Sequence, residues 1–258
     1  VYSRMSLRFH EIAEADHAIQ NPLSAEKLQS LGEICDVSSD TELLDLASGK
    51  GELLCQWAAR HGATGTGVDV SEVFVEEARG RSADLDVADR VTFERADATE
   101  YPVENHDVDV ASCIGATWIG DGLVGTLDLL RRALQDDSGL LVVGEAFWSE
   151  EPSPEAVQAL ADGEEDQFAL LPDLLDRVQR AGYELVEMIR ASDDNWDRYE
   201  AKQWKTVDQY LRNDPDDPDR DALYRWIDDK RSTYLEYGRE YLGWGVFVFR
   251  KGPPIESN

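Results

Sequence analysis

Between Thr41 and Phe147, short β-rich runs alternate with stretches of helical periodicity, and this alternation limits the fold more than any other feature of the chain. Parallel strands need long crossover connections, and helices fill them, so the pattern predicts repeated βαβ units and a parallel sheet. Strands are expected at Glu42–Ala47, Thr64–Asp69, Val91–Arg95, Val108–Cys113 and Gly139–Phe147. Helices are expected at Glu52–Arg60, closed by Gly62, at Ser71–Ser82, capped by Ser71, and at Gly122–Gln135.

After Trp148 the pattern changes. Pro152 and Pro154 read as breaks, and the acidic stretch Asp162–Asp166 follows them. A helix at Leu171–Ala181 then leads to a strand at Tyr183–Ile189. Two further helical regions, Arg198–Leu211 and Ala222–Tyr241, flank the acidic turn Asn213–Asp221 and precede a last strand at Gly245–Arg250. An insertion before the last strand has no sheet position to fill. It is expected to lie as a lid over the carboxyl edge, where open α/β sheets bind ligands. The first 35 residues read as two helices around Asn21-Pro22 that complete the lid. The expectation is one domain over 1–258, with lid helices at 1–35, a binding core at 41–148 and a helical cap at 191–242.

A chain of 258 residues that is 42% hydrophobic can bury a sizeable core. Its formal net charge of -29 comes from 54 Asp and Glu against 25 Lys and Arg. That coat repels nucleic-acid phosphates and anionic membranes, and no basic patch interrupts it. An acidic, lysine-poor surface resembles that of proteins from salt-loving archaea, so a halophilic habitat is expected. Cys35, Cys55 and Cys113 are odd in number and scattered, which suits a reducing cytoplasm. His10, His17, His61 and His106 form no ligand-spaced cluster, so no metal is expected. No signal or membrane-spanning segment is expected, because the first residues lack an apolar core and no run approaches the ~18 apolar residues a span needs.

The strongest chemical signal is Leu43-Leu44-Asp45-Leu46-Ala47-Ser48-Gly49-Lys50-Gly51-Glu52, a strand running into a glycine loop and then a helix. Glycines let backbone approach a ligand closely and adopt positive φ. A dinucleotide fingerprint needs a third glycine where Leu54 stands, and it puts a pyrophosphate where Glu52 adds a like charge. A sulfonium ligand without phosphate tolerates carboxylates there. One strand later, Gly67-Val68-Asp69-Val70-Ser71 places a carboxylate able to accept from both ribose hydroxyls. Phe93-Glu94-Arg95-Ala96-Asp97-Ala98-Thr99 places another able to accept from an adenine amino group. A plain tight turn, a helix-start charge and a solvated loop aspartate are the bland readings of the three.

Together these elements resemble motifs I, post-I and II of the class I S-adenosylmethionine-dependent methyltransferases, over about Thr41 to Trp148. The resemblance implies a Rossmann-like α/β fold: a seven-stranded, mostly parallel sheet with helices on both faces and an antiparallel last strand. It implies S-adenosyl-L-methionine as cofactor, its methionine part held by Asp45, Ala47, Ser48, Gly49 and Gly51, its ribose by Asp69 and its adenine by Val70, Asp97 and Ala98. The first motif glycine is Ala47 here, which puts the loop geometry in question. Cys113, Ile114 and Gly115, at the end of the fourth strand, are expected to line the cofactor. The Asn/Asp-Pro-Pro-Tyr/Phe tetrad of nucleic-acid amino-methyltransferases is absent there, which favours a small-molecule acceptor. The Ile-Gly-Ala-Thr-Trp run, with Gly144–Trp148 and Gly243-Trp244-Gly245, resembles a prokaryotic type 11/25 subgroup.

Methyl transfer to a small molecule needs alignment, exclusion of water and at most a base. His17 and Glu145 are the candidate bases, each with a packing role as its alternative. Trp118, Trp148, Tyr241 and Trp244 are candidate substrate contacts, and lid core is the alternative for the late aromatics. Arg8 or Arg239 could bind an anionic group or serve in ion pairs. An oxidoreductase using a dinucleotide, or a non-catalytic protein that binds S-adenosylmethionine, remain as alternatives. The sequence leaves the acceptor atom and the oligomeric state open.

Overall fold

The structure, a computed structural model, describes residues 4–164 and 167–252, so the last two residues of the acidic stretch Asp162–Asp166 lie outside it. The chain forms two compact units. One comprises the chain up to Leu23, Phe147–Leu170 and Ala191–Gly243; the other comprises Ser24–Ala146, Leu171–Arg190 and the chain from Trp244.

The second unit is built on a seven-stranded sheet: β1 (Glu42–Leu46), β2 (Thr64–Asp69), β3 (Val91–Arg95), β4 (Val110–Ile114), β5 (Leu140–Trp148), β6 (Tyr183–Arg190) and β7 (Leu242–Lys251), in the order β3-β2-β1-β4-β5-β7-β6. β3, β2, β1, β4 and β5 run parallel, and β6 and β7 run antiparallel to each other. This is the expected Rossmann-like architecture. The order reverses beside β1, which makes β1 and β4 the pair at the topological switch, where open sheets bind ligands. β1 and β4 are buried almost throughout, as strands covered on both faces must be.

Helices α2 (Ala25–Ile34), α3 (Glu52–His61), α4 (Glu72–Asp84), α5 (Leu123–Arg131) and α7 (Leu171–Arg180) belong to this unit. Ser71 caps α4 through its side chain, which accepts the N–H of Phe74, and Gly62 ends α3 in the left-handed region. One expectation is corrected here. α2 was expected in the lid, yet it packs into the sheet unit: Leu28, Leu31 and Gly32 are buried, and the Trp57 indole N–H on α3 reaches the Leu28 carbonyl. A Cβ on Gly32 would meet His61 Nε2 at 2.9 Å, so glycine permits that close approach.

The other unit is mainly helical: α1 (Arg4–Ala13), α6 (Pro154–Leu160), α8 (Asp193–Asn213) and α9 (Arg220–Thr233), followed by a π-helical turn at Tyr234–Gly238. Phe9 and Ala13 of α1 meet Val207 and Leu211 of α8 and Leu223 and Ile227 of α9 in its core. α8 begins at Asp193, about a turn and a half before the expected Arg198, because Ser192 and Asn195 form a reciprocal capping box. Pro154, read as a break, instead starts α6: it occupies the first helical turn behind the Ser153 cap, where a missing N–H costs nothing.

Candidate functional site

The glycine loop leaves β1 in three left-handed steps, Ala47 at φ 54°, Gly49 at 54° and Gly51 at 68°. Ser48 donates its N–H to the Val68 carbonyl, and Gly51 donates to the Ser48 carbonyl, so the loop is stitched to β2 and to itself. A Cβ on Gly51 would stand 2.5 Å from Phe93 Cζ, and one on Gly67 would stand 2.6 Å from Phe93 Cδ1. Both positions therefore demand glycine, and the Phe93 ring is what they make room for.

Asp69, at the end of β2, accepts the Gly49 N–H at 2.9 Å on one oxygen and the Ser71 N–H at 2.8 Å on the other. Asp97 is exposed after β3 and accepts the Thr99 N–H, while the neighbouring Ala98 is buried. Asp45 is 4% exposed on β1 and accepts the hydroxyl of Ser112, directly opposite it on β4, at 2.6 Å. Burial pushes its carboxyl up to about 7, against the lowering effect of Ser112, and the nearby Asp69 charge raises it further.

The cations around the loop are turned to other work. Lys50 is buried and its ammonium pairs with Glu77 at 2.8 Å. Arg81 pairs with Glu52 at 2.7 Å and also donates to the Lys50 carbonyl. Glu52 is thus neutralised by a partner that the sequence gives no sign of. The case against a pyrophosphate then rests on Leu54, 1% exposed where a third glycine would have to be, and on the carboxylates of Asp45 and Asp69.

At the end of β4, Cys113 is fully buried, with its thiol pushed above its usual range by that burial, and Ile114 is half-buried. Gly115 turns to φ 87° and donates its N–H to the Gly144 carbonyl on β5. Glu145 follows on β5. Burial raises its carboxyl to about 7 although Thr117 and the Ala146 backbone hydrogen-bond to it, and its Oε2 is buried with no partner. Trp118, on the 3-10 turn Thr117–Gly120, is 51% exposed. Trp244 is 4% exposed, and its ring stands where a Cβ on Gly144 would be. Val70 is 41% exposed beside Asp69.

The sheet unit therefore carries every residue expected at the cofactor, together with Glu145, Trp118 and Trp244. His17, Trp148 and Tyr241 belong to the helical unit. There Trp148 is buried edge-on against Phe168 and Tyr241 accepts the Ser149 N–H, while His17 is 7% exposed with Nδ1 3.0 Å from Glu14 Oε2. Arg8 is engaged with Asp217 and Asp219, and Arg239 with Asp197, which favours the ion-pair reading of both. Among the described residues no group of His, Cys, Asp and Glu could hold a metal ion, and no helix is long and apolar enough to cross a membrane.

Comparison with known proteins agrees with this geometry. A family described as "Methyltransferase domain" matches residues 43–137. A crystal structure of an S-adenosylmethionine-dependent methyltransferase from Geobacter sulfurreducens, in complex with S-adenosyl-L-homocysteine, is 42% identical and superposes with a TM-score of 0.90, covering 95% of this chain and 98% of that one. A methyltransferase from Thiobacillus denitrificans, also in complex with S-adenosyl-L-homocysteine, is 39% identical with a TM-score of 0.90, over 97% of this chain and 99% of that one. The protein YjhP of Escherichia coli strain K12 is 40% identical over 93% of this chain and 97% of its own length.

Proposed function

This chain belongs to the class I S-adenosyl-L-methionine-dependent methyltransferases, and from that premise we propose that it methylates a small molecule. The observation that carries the reading is the acidic, phosphate-unfriendly edge: Asp45 and Asp69 flank the glycine loop while Lys50 and Arg81 are held by Glu77 and Glu52. That donor set fits a cationic ligand with hydroxyls and no phosphate. When bound, S-adenosyl-L-methionine would supply a methyl carbon activated by positive sulfur; an acceptor's lone pair would bond to that carbon as the carbon–sulfur bond breaks, with S-adenosyl-L-homocysteine as the leaving group.

In this reading Ala47, Ser48, Gly49 and Gly51 present backbone to the methionine part, with Asp45 behind them. Asp69 takes the ribose hydroxyls with lone pairs left over from Gly49 and Ser71. Val70, Asp97 and Ala98 flank the adenine, and Cys113, Ile114 and Gly115 close the site at the β4 end. Trp118, exposed on its turn, contacts the acceptor. Trp148, Tyr241 and Trp244 were expected beside it; burial of Trp148 and Trp244 supports a wall role rather than a sliding contact. Glu145 and His17 are the groups able to take the acceptor's proton, each having a buried atom with no partner.

The absence of the Asn/Asp-Pro-Pro-Tyr/Phe tetrad supports a small molecule over a nucleic acid. Free, buried Cys35, Cys55 and Cys113 support a cytoplasmic location. The acid coat supports a fold that gains stability from salt. Calorimetry with S-adenosyl-L-homocysteine and with NAD tests the cofactor site: micromolar binding of the first alone is expected, and tighter binding of NAD would overturn the reading. Release of S-adenosyl-L-homocysteine across an acceptor panel then tests for turnover.

A further inference from the structure

β4 is built to be buried, yet its middle carries a hydroxyl. Ser112 stands among Val110, Ala111 and Cys113, all buried, and is itself 0% exposed. Burying a hydroxyl costs free energy unless it finds a partner, and alanine or valine would fill an interior strand position without that cost. The partner is Asp45, directly opposite on β1, whose Oδ1 accepts the Ser112 O–H at 2.6 Å. The Leu44 carbonyl, at 3.4 Å, is the poorer acceptor for it. Two polar groups are thus buried as a pair at the topological switch, where β1 runs into the glycine loop.

The pair faces a negative neighbourhood. From β2 the Asp69 carboxylate acts on Asp45, and from β4 it meets the Cys113 thiol, which its own burial keeps protonated. The charges of the loop and of the helices beyond it are already matched, Lys50 by Glu77 and Glu52 by Arg81. Burial and Asp69 both favour the protonated form of Asp45, and the Ser112 hydroxyl, which donates to the charged form, opposes them. The resulting carboxyl, at about 7, stands between its two forms near neutral pH. A cation brought against it lowers that value and drives the proton off. The amino-acid end of S-adenosyl-L-methionine carries such a cation, an ammonium.

Resting on the reading that places Asp45 at the methionine part of the cofactor, we propose that Ser112 is a positioning residue for cofactor binding, and that cofactor uptake expels a proton from Asp45. Ser112 Oγ holds Oδ1 in either form, so the proton leaves from Oδ2 and passes to the buffer. Affinity for the cofactor therefore rises with pH through the range in which free Asp45 ionises, and it levels off above that range. Without the hydroxyl, Asp45 keeps its proton to higher pH, and the whole profile moves with it.

The test is calorimetry of S-adenosyl-L-homocysteine, which carries the same ammonium, on the full chain from pH 5.5 to 8.5 in buffers of different ionisation enthalpy. At pH 6.5 the parent should release a proton on binding, seen as a heat that depends on the buffer, and at pH 8.5 almost none. If loss of the donor in Ser112→Ala moves the ionisation of Asp45 up by about one pH unit, binding should weaken about fivefold at pH 7 but less than about twofold at pH 8.5. Ser112→Thr restores the hydroxyl and should restore the parent's profile. Because its extra methyl must fit inside β4, Asp45→Asn serves as a second variant, and it should abolish both the release and the pH dependence. With no ligand present, denaturant titrations should show Ser112→Ala losing more stability at pH 8 than at pH 5, because the donor acts chiefly on the charged form. The proposal is overturned if the parent's affinity does not change with pH, or if Ser112→Ala weakens binding by one factor at every pH, as a merely structural role would. It is equally overturned if the release survives in Asp45→Asn, which would assign the proton to another group such as Glu145. Failure of S-adenosyl-L-homocysteine to bind at any pH would instead overturn the cofactor reading.

Discussion

Asp69 and Gly49 are joined by a 2.9 Å hydrogen bond from the glycine N–H to the carboxylate, which ties the loop after β1 to the end of β2. The same carboxylate holds Ser71, the cap of α4, so one side chain sets loop, strand end and helix start together. Asp69→Asn keeps the size but turns an amide N–H toward a backbone N–H. A hydrogen bond to a charged group is worth about 1.5–3 kcal/mol, so the affinity for S-adenosyl-L-homocysteine should fall by roughly 10- to 150-fold. Calorimetry on the variant reads this directly, and an unchanged affinity would remove Asp69 from the site.

Ala47 stands in the left-handed region at φ 54°, where the motif has its first glycine. The departure is one of strain, not of geometry: the loop takes the glycine conformation and its Cβ bears the cost, about 1–2 kcal/mol for a left-handed residue. Part of that is offset in the unfolded chain, which glycine makes more flexible. Ala47→Gly should therefore stabilise the protein by ~0.5–1 kcal/mol, about 1–4 °C in Tm for a chain of this size. Gly51→Ala should do the reverse and more, because its Cβ would meet the Phe93 ring as well as the φ penalty. Thermal melts of the two variants give opposite signs if this account is right.

What was legible in the sequence was what is local. The glycine loop, the Ser71 cap and the ends of β2 and β3 depend on neighbours in the chain, and the structure places them as the residues indicated. Ser112 was invisible because its pairing with Asp45 depends on β4 lying beside β1, a matter of strand order. The direction of Lys50, down to Glu77 and away from the loop, was equally out of reach. So was the Glu14 cluster, whose partners lie more than 180 positions away along the chain. His17 was legible as a candidate base and Tyr199 as one of the late aromatics, while Glu200 and Gln203, on the same helix as Tyr199, carried no signal, because their neighbours depend on the packing of α1 against α8.

A net charge of -29 should make stability depend on salt. Many of its surface carboxylates have no cation available, since 25 basic residues face 54 acidic ones. At 0.1 M salt their repulsion reaches about 10 Å and at 1 M only about 3 Å. Tm should rise across that range, by about 2–4 °C for each ~1 kcal/mol of repulsion relieved. A flat melting curve would show that the charges are spaced widely enough to ignore one another, and the link between the acid coat and a saline habitat would go with it.

Asp45 gives a pH dependence of the opposite sense to an ordinary ion-paired carboxylate. Its carboxyl is raised from the usual 3.8 to about 7 because burial disfavours the charged form. Between those values the folded protein keeps a proton that the unfolded chain has released. Stability from this group is therefore complete below about 3.8, falls as pH rises through the window and levels off above about 7. A shift of about three units corresponds to up to ~4 kcal/mol. Asp45→Asn, which stays neutral and can still accept from Ser112, should be more stable than the parent at pH 8 and nearly equal to it at pH 4. Denaturant titrations at the two pH values measure the difference. Equal stability at pH 8 would mean that the buried carboxylate is better solvated than its surroundings on β1 and β4 allow.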